Sequence, residues 1–440
     1  MSMEQKGIEY LKQKLAKFSL RGTTRYRYYD MKGNDNKRNL LMPVEIQGRY
    51  RSCIGWCSKA VDALADRLVF REFADDDVFG LNEIFEMNSS DIFFDSAILS
   101  ALITSCCFVY VSLDSEGFPR LQIIEGTDAT GIVDPVTGLL TEGYAILDRD
   151  EQGNPSLEAY FLPGITYFYQ KGKQAYTVKN NAPYAALVPI IHRPDAKRPF
   201  GRSRITRACM YYQNYAKRTL ERSDISAEFY SFPQKYVTGL SQDSEFMDKW
   251  KATITSMLVF QKDENGDSPH IGQFTQQSMT PHLEQLRAAA SGFAGESGLT
   301  LDDLGFPSDN PSSAEAIKAS HETLRVTARK AQRCFGSGFL NVGYIACCMR
   351  DGFAYRRAQF YEINPKWEPV FEADATTMSL VGDGAIKINQ AIPGYMDKDT
   401  IRDLTGLEGA NGAGYNAQTM GVDSKDVLAK SQGNEKGEKL

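Results

Sequence analysis

Ile8, Leu11, Leu15 and Phe18 recur every three or four positions among charged residues, a spacing that predicts an amphipathic helix over residues 1–20. The polar run YDMKGNDNKRN that follows reads as a loop. A second helix is predicted over residues 52–69, with Trp56, Ala60, Ala63, Leu64 and Leu68 on its apolar side. Asn88, Ser89, Ser90 and Asp91 supply N-cap residue types ahead of IFFDSAILSALIT, a mostly apolar helix that should be buried. The period then changes. CCFVYVSLD, RLQIIEG, GIVDP, LLTEGYAILDRD, LEAYFLP, TYFYQK and QAYTVKN are short β-rich runs separated by turn signals such as DSEGFP, DPVTG and DEQGNP. Together they predict an antiparallel meander over residues 106–180 with helices on either side, an α+β class.

Helical patterning returns after ALVPIIHRP. Between Gly201 and Pro233 the chain runs without Pro or Gly, which predicts roughly 40 Å of helix. Residues 233–278 mix short strands, a helix around EFMDKWKATI and the turn DENGDS, and a further helix starts near Pro281. Ser312 and Glu315 form a capping-box pattern. After it, Ile317, Leu324, Ala328, Phe335, Val342, Ala346 and Met349 mark a helix reaching about Asp351, with a kink expected at Gly336 and Gly338. Irregular heptads and few flanking charge pairs favour a strut over a coiled coil. Two short helical patterns, TTMSLVGDGAIKINQAI and DKDTIRDLTGL, precede a Gly/Asn/Lys/Glu-rich stretch expected to be a mobile tail.

Composition narrows the class. With 42% hydrophobic, 24% charged and 11% aromatic residues, the chain is an ordinary folded protein of several units. No apolar run reaches the roughly 18 residues of a membrane span, and the charged N-terminus lacks the apolar core of a secretory signal. The net charge of −6 is uneven: residues 1–40 carry +6 and residues 193–222 carry +7, leaving −19 for the rest. A dedicated nucleic-acid binder is basic overall, so tight general DNA binding is disfavoured while passing contact is not. Cys106, Cys107, Cys347 and Cys348 lie in apolar surroundings and read as buried free thiols. Cys53 and Cys57 are expected on one helical face, without the second ligand pair that a zinc site needs.

Catalytic patterns do not appear. There is no Walker motif, GxGxxG, HExxH or GxSxG, and His192, His270, His282 and His321 are scattered. His192 reads as a structural strand-end residue. Asp75, Asp76 and Asp77 form the densest carboxylate run, Asp91 with Asp95 share a helical face, and Asp302 adjoins Asp303. None stands beside a Lys or His in a strand-centred nuclease pattern, so no metal, cofactor or covalent chemistry is expected.

Four stretches, in order, carry a resemblance. YRYYD, LLMPVEI and the helix CIGWCSKAVDALADRLVFREF precede NSSDIFFDSAILSALITSCCFVYV. VPIIHRPDAKRPFGRSRITRACMYYQNYAKRTLERSDISAEFYSFPQKYVTG joins a strand end, a G-x-S-x-I turn and a long helix to an aromatic-Pro-Gln motif. LGFPSDNPSSAEAIKASHETL is the most specific, and ADATTMSLVGDGAIKINQAIPGYMDKDTIRDLTGL closes the series. This order resembles the portal (head-tail connector) proteins of tailed phages, of the long-tailed siphophage type.

The resemblance implies a portal fold: an N-terminal wing over 1–200, a first stem helix over 201–229, a small α/β clip over 230–279 and a second stem helix over 280–304. A tunnel loop over 305–313, a long helix and C-terminal wing over 314–374, a helical crown over 375–406 and a flexible tail over 407–440 complete it. It implies a twelve-subunit ring with head-to-tail contacts. Double-stranded DNA would pass through it, the terminase large subunit and then a head-completion adaptor would dock on it, and major capsid and scaffolding proteins would surround it. No membrane is involved; the place is the virion, reached from host cytoplasm. Phe306, Pro307, Ser308, Asp309, Asn310 and Pro311 would be the DNA-facing tunnel loop, which holds no Lys or Arg. Lys235, Asp248, Lys249 and Lys262 would belong to the clip contact. Arg198, Arg202, Arg204, Arg207, Lys217, Arg218 and Arg222 form a basic stripe that reads either as a contact to DNA or the next subunit, or as a solvated helix face. On the residues alone two other classes stay open, a metal-dependent nuclease of a mobile element and a capsid or adaptor protein that binds a ring without forming it.

Overall fold

The computed structural model describes residues 5–32, 52–231, 235–238, 270–273, 275, 278–307, 319–371 and 375–406. These divide into two compact units, one ending at Pro365 and one beginning at Lys366. Both helix and sheet are present, as the α+β class requires.

The core of the first unit is built around strand β2 (Cys106–Leu113), to which β3 (Pro119–Ile124) and β9 (Leu187–Ile191) pair antiparallel on either side. Cys107 and Ile190 are register partners and therefore project from one face. That face meets helices α4 (Ser90–Thr104) and α7 (Glu322–Arg350): the Cys107 thiol lies 3.2 Å from the Ala97 carbonyl oxygen, and Ile190 sits against Gly338. The opposite face carries Cys106 and Phe108, which line a cavity with Lys14 and Phe18 of helix α1 (Ile8–Tyr29). Burial on both faces explains why this strand reads as a continuous apolar run instead of an alternating one. Cys106, Cys107, Cys347 and Cys348 are all buried, and burial pushes the Cys106 and Cys347 thiols up to about 12.

Phe94 is the centre of an aromatic cluster, with ring centroids 4.2 Å from Phe70, 5.0 Å from Phe85 and 4.7 Å from Phe339. It ties α4 to β1 (Phe70–Ala74), α3 (Leu81–Glu86) and α7. Neither β1 nor α3 is visible in the hydrophobic pattern; each is only five or six residues long. α7 runs unbroken through Gly336 and Gly338, where a kink was expected. A Cβ at Gly338 would stand 3.0 Å from Ile190 Cδ1, so this glycine serves the close approach of helix to strand.

The predicted meander divides. Strands β4 (Ala129–Val133), β5 (Leu140–Arg149), β6 (Pro155–Leu162), β7 (Ile165–Gln170) and β8 (Lys173–Lys179) form a five-stranded up-and-down sheet, while β2 and β3 belong to the sheet described above. Helix α1 lies on the five strands, Leu11 and Leu15 packing with Tyr144 and Tyr160. It runs nine residues beyond its predicted end at residue 20, to Tyr29. Two buried carboxylates fasten it. Glu142 accepts from the Lys6 and Gly7 amides at 2.8 and 3.0 Å and from the Tyr160 hydroxyl, satisfying donors at the helix start. Glu158 pairs with Lys12 at 3.0 Å and accepts from the Tyr144 hydroxyl. Every residue of the outer strand β8 is exposed.

Helix α2 covers Trp56–Ala65, shorter than the predicted 52–69, so Cys53 lies outside it and is exposed while Cys57 is buried; the two do not share a helical face. At α4 the N-cap residue types do not cap by side chain: Ser89 adopts φ 57° with no such bond. Asn88 instead donates to the Ile84 and Pro119 carbonyl oxygens, linking α3 to β3. The capping-box pair Ser312 and Glu315 and the residues after 406 lie outside the described residues.

In the second unit, α8 (Ala375–Ala391) and α9 (Lys398–Thr405) match the two short helical patterns. Asp397 caps α9 by accepting from the Thr400 amide at 2.8 Å. The turn between them is closed by Asn389, whose amide donates to the Met396 carbonyl and whose oxygen accepts the Met396 amide, both at 2.7 Å.

Truncating Phe94 to Ala should cost about 3–5 kcal/mol, the range for deleting a buried ring. A urea unfolding series comparing Phe94→Ala with the parent checks this, and an unchanged midpoint would show that the aromatic cluster is not the core.

Candidate functional site

Helix α5 (Arg207–Ser231) and helix α6 (Thr280–Ser297) pack against each other and against α2, with Trp56 and Phe293 rings 5.5 Å apart. α5 is 25 residues long, about 37 Å. Its buried side carries Cys209, Gln213 and Ala216, and Gln213 accepts the Cys57 amide at 2.7 Å. Near the far end Ser226 Oγ lies 3.1 Å from His282 Nε2, joining the two helices.

The root of this pair is the G-x-S-x-I turn. Gly201 has φ +69°, and a Cβ there would stand 2.0 Å from the His192 carbonyl oxygen, so only glycine fits. The chain then docks on the C-terminal end of α4: the Arg204 amide donates to the Leu102 carbonyl at 2.8 Å, and the Ser203 hydroxyl to that of Ile103 at 2.6 Å. Thr206 starts α5 by accepting the Cys209 amide at 3.1 Å. Helix formation thus begins at Arg207, six residues inside the stretch 201–229 expected to hold the first stem helix.

Arg204 is buried, with 8% of its surface exposed. Its guanidinium donates to the Ala60 carbonyl in α2 at 3.2 Å and to the Ser297 carbonyl in the last turn of α6. A cation there also meets the negative end of the α6 dipole. Burial lowers its pKa to about 10. His192 is buried beside it. Its Nδ1 lies 2.6 Å from the Arg202 carbonyl oxygen, which can only accept, so Nδ1 carries the proton. Nε2 is buried without a hydrogen-bond partner, and burial holds the imidazole down to about 3.

The predicted basic stripe therefore separates into three environments. Arg204 is an interior anchor and leaves the exposed stripe. Arg198 and Arg202 sit on the preceding loop with Asp195, which Arg202 reaches at 2.7 Å. Arg207, Arg218 and Arg222 are exposed on α5, within about 60° of one another at 100° per residue, with exposed Tyr211 between them. Lys217 is half-buried on the flank. Of the tunnel-loop residues, Phe306 is half-buried and Pro307 exposed, whereas Ser308, Asp309, Asn310 and Pro311 lie outside the described residues. Of the clip residues, Lys235 starts β10 (Lys235–Thr238), which pairs antiparallel with β11 (His270–Gln273). Asp248, Lys249 and Lys262 lie outside the described residues.

Among the described residues, no group of three or more His, Cys, Asp or Glu side chains is arranged to hold a metal ion, and no helix is long and apolar enough to cross a membrane. Asp76, from the densest acidic run, accepts the Asn82 amide at 2.8 Å and caps the start of α3. Sequence reasoning missed the separate role of Arg204. The available signal was its position one residue before a buried Ile and ahead of the Thr206 cap, outside the helix periodicity.

Residues 9–382 match the family described as phage portal protein, SPP1 Gp6-like. The portal proteins of Mycobacterium phage L5 and Mycobacterium phage D29 are each 23% identical over 402 residues, covering 85% of this chain and 80% of theirs. A chain from the virion of a native gene transfer agent particle aligns with TM-score 0.46 and 12% identity, covering 88% of this chain and 93% of that one. A chain from the neck of a native particle of that agent, computed with C12 symmetry, aligns with TM-score 0.43 and 15% identity, covering 80% and 90%. The match across most of the chain places it among the structural proteins of the phage capsid vertex. The chain belongs to the phage portal protein family, and its role is that of a portal protein in the virion.

Two outcomes test the root. Gly201→Ala should cost more than about 2 kcal/mol, through a strained φ and a backbone clash, read as a lowered melting midpoint. His192 stays neutral in the fold to about pH 3 but titrates near 6.5 unfolded, so below 6.5 the unfolded chain binds the extra proton. Its share of stability is therefore full above pH 6.5 and declines toward pH 3, by up to about 1.4 kcal/mol per pH unit. Urea midpoints from pH 7 to pH 4 should show this decline, and a His192→Gln variant should lack that component.

Proposed function

We propose that this chain is a structural, non-enzymatic subunit of a closed ring through which double-stranded DNA is packaged into the capsid and later ejected. The resemblance implies twelve copies, assembled in host cytoplasm before DNA entry. The observation that carries this reading is the helical pair α5–α6, rooted in the sheet-containing body by Arg204 and the G-x-S-x-I turn. A stem wall has this requirement: two long helices must leave a folded body at a fixed angle and repeat that angle in every copy.

The regions follow from that reading. Residues 1–200 are the wing, and α5 and α6 the stem. The segment between them, including β10 and β11, is the clip, with Lys235, Asp248, Lys249 and Lys262 as its contacts first to the terminase large subunit and then to a head-completion adaptor. Residues 305–313 are the tunnel loop, α7 the long wing helix, and residues 375–406 the crown. Capsid and scaffolding proteins surround the wing. Arg207, Arg218 and Arg222 make passing contacts with DNA phosphates. Three cations on one helix face are few enough to guide a sliding duplex without holding it, because each phosphate contact adds to salt-sensitive affinity.

Negative-stain images of the purified full chain should show rings with a central hole; a monomer under every assembly condition would overturn the reading. Rings of Arg207→Ala/Arg218→Ala/Arg222→Ala should still form, bind duplex DNA several-fold more weakly and show a shallower salt dependence. Unchanged affinity and slope would move the stripe away from the channel.

A further inference from the structure

Two clusters of charge in the first unit lack partners of opposite sign among the described residues. The first lines a cleft of about 550 Å³ between β9, the β4–β5 turn and α7. Arg193, Lys330 and Arg333 border it with Thr137, Ser337 and Asn341. The three cations are exposed, and among the described residues none of them forms an ion pair. Lys330 and Arg333 are three apart on α7 and so share a face with Ser337. Arg193 holds φ 51°, a conformation rare for residues with side chains. Asn341 is fixed in the cleft wall, its amide 3.3 Å from the Thr137 carbonyl and its oxygen accepting Arg357 Nε at 2.9 Å. The cleft is thus a shaped, polar concavity with about three uncompensated positive charges.

The second cluster is acidic. Asp91 and Asp95 stand one turn apart on the exposed face of α4, and Asp66 follows α2. None has an ion-pair partner among the described residues. Partial burial, and then the charges of Asp91 and Asp66, push the Asp95 carboxyl up, so the three carboxylates repel one another within a single chain. Exposed Ile92 and Val69 lie among them, 71% and 47% accessible. An apolar centre flanked by charge is the make-up of a protein–protein contact.

We infer that the Asp66, Asp91 and Asp95 patch of one copy seats on the Arg193, Lys330 and Arg333 cleft of the next copy in the ring. The inference rests on the ring reading above and adds the identity of its contact. A closed ring needs head-to-tail contacts between two different, complementary surfaces of the same chain, and these clusters complement each other in sign and number. Duplex DNA is the poorer occupant of the cleft. The cations surround a concavity sized for a few side chains, whereas a phosphate backbone is tracked by an open basic surface. In the contact, each cluster supplies the counter-charge that the other lacks among the described residues of its own chain. Charge complementarity of this kind also selects register and suppresses wrong pairings.

The test uses the full chain and native mass spectrometry at low ionic strength. Lys330→Glu/Arg333→Glu and Asp91→Lys/Asp95→Lys should each lower the fraction of closed rings at least tenfold. All four changes in one chain should return it to within about threefold of the parent, since a reversed patch then faces a reversed cleft. Lys330→Gln/Arg333→Gln, which removes charge without adding repulsion, should fall between, and its circular dichroism and melting midpoint should match the parent. Parent-like ring formation by both reversed variants would overturn the contact while leaving the ring intact. Loss in both without recovery in the combination would overturn the pairing. Rings that persist in the cleft variants but lose duplex DNA binding would reassign the cleft to nucleic acid. A parent chain that never forms rings would overturn the ring reading, and this contact with it.

Discussion

Arg204 sits in the angle between α2, α4 and the last turn of α6, and main-chain carbonyl oxygens hold its guanidinium. A buried cation without an adjacent carboxylate is stable only where fixed dipoles replace lost water. Here one dipole is the Ser297 carbonyl, which the end of α6 would otherwise leave unpaired, and the other is the Ala60 carbonyl within α2. The bonds are directional, and together with the Arg204 amide on the Leu102 carbonyl they reach three separate elements. They therefore define where α5 begins and where α6 ends. Ser203 and Gly201 act on the same few residues, one by bonding the end of α4 and the other by letting the turn close on His192. The geometry of the helical pair is set within this short turn, and the rest of its length follows by ordinary helix packing.

Charge along the chain gave a misleading first impression of where basic surface lies. Residues 1–40 carry +6, yet Lys12 is paired with Glu158, Lys14 donates to the Gly131 carbonyl at 2.6 Å, and Arg25 donates to the Thr104 carbonyl at 2.6 Å. Burial lowers both the Lys14 and the Arg25 pKa. These cations fasten α1 to sheets and helices instead of presenting it to a polyanion. Composition cannot distinguish the two uses, because long basic side chains lie along apolar surface while their heads find acceptors. Lys17, Arg21 and Arg27 of the same helix remain exposed, and further exposed positive charge lies on one face of α5 and around the cleft beside α7.

Elements whose apolar period is long and regular were legible: the helices over 90–104, 207–231 and 322–350, and the strands of the meander. What was not legible depends on contacts distant in sequence. One of the two partners of β2 is β9, more than seventy residues on, so a nearest-neighbour reading placed β2 in the wrong sheet. Gly336 and Gly338 looked like a hinge because isolated helices with glycine are weak, whereas Gly338 is there for Ile190. Arg204 looked like its neighbours Arg202 and Arg207, and only the fold separates an interior residue from two surface ones. The order of regions proposed above rests on the family likeness and not on periodicity.

The outermost strand of the five-stranded sheet has a consequence for assembly. β8 leaves one row of backbone donors and acceptors unpaired, and such an edge can recruit a strand from any other molecule. Lysines at both of its ends, Lys173 and Lys179, would bring like charges together in any stacking of two such edges. In the proposed closed ring, growth stops after a fixed number of copies, which a second, open-ended adhesive edge would defeat. On that reading, charge at the margin of this sheet keeps polymerisation from competing with closure.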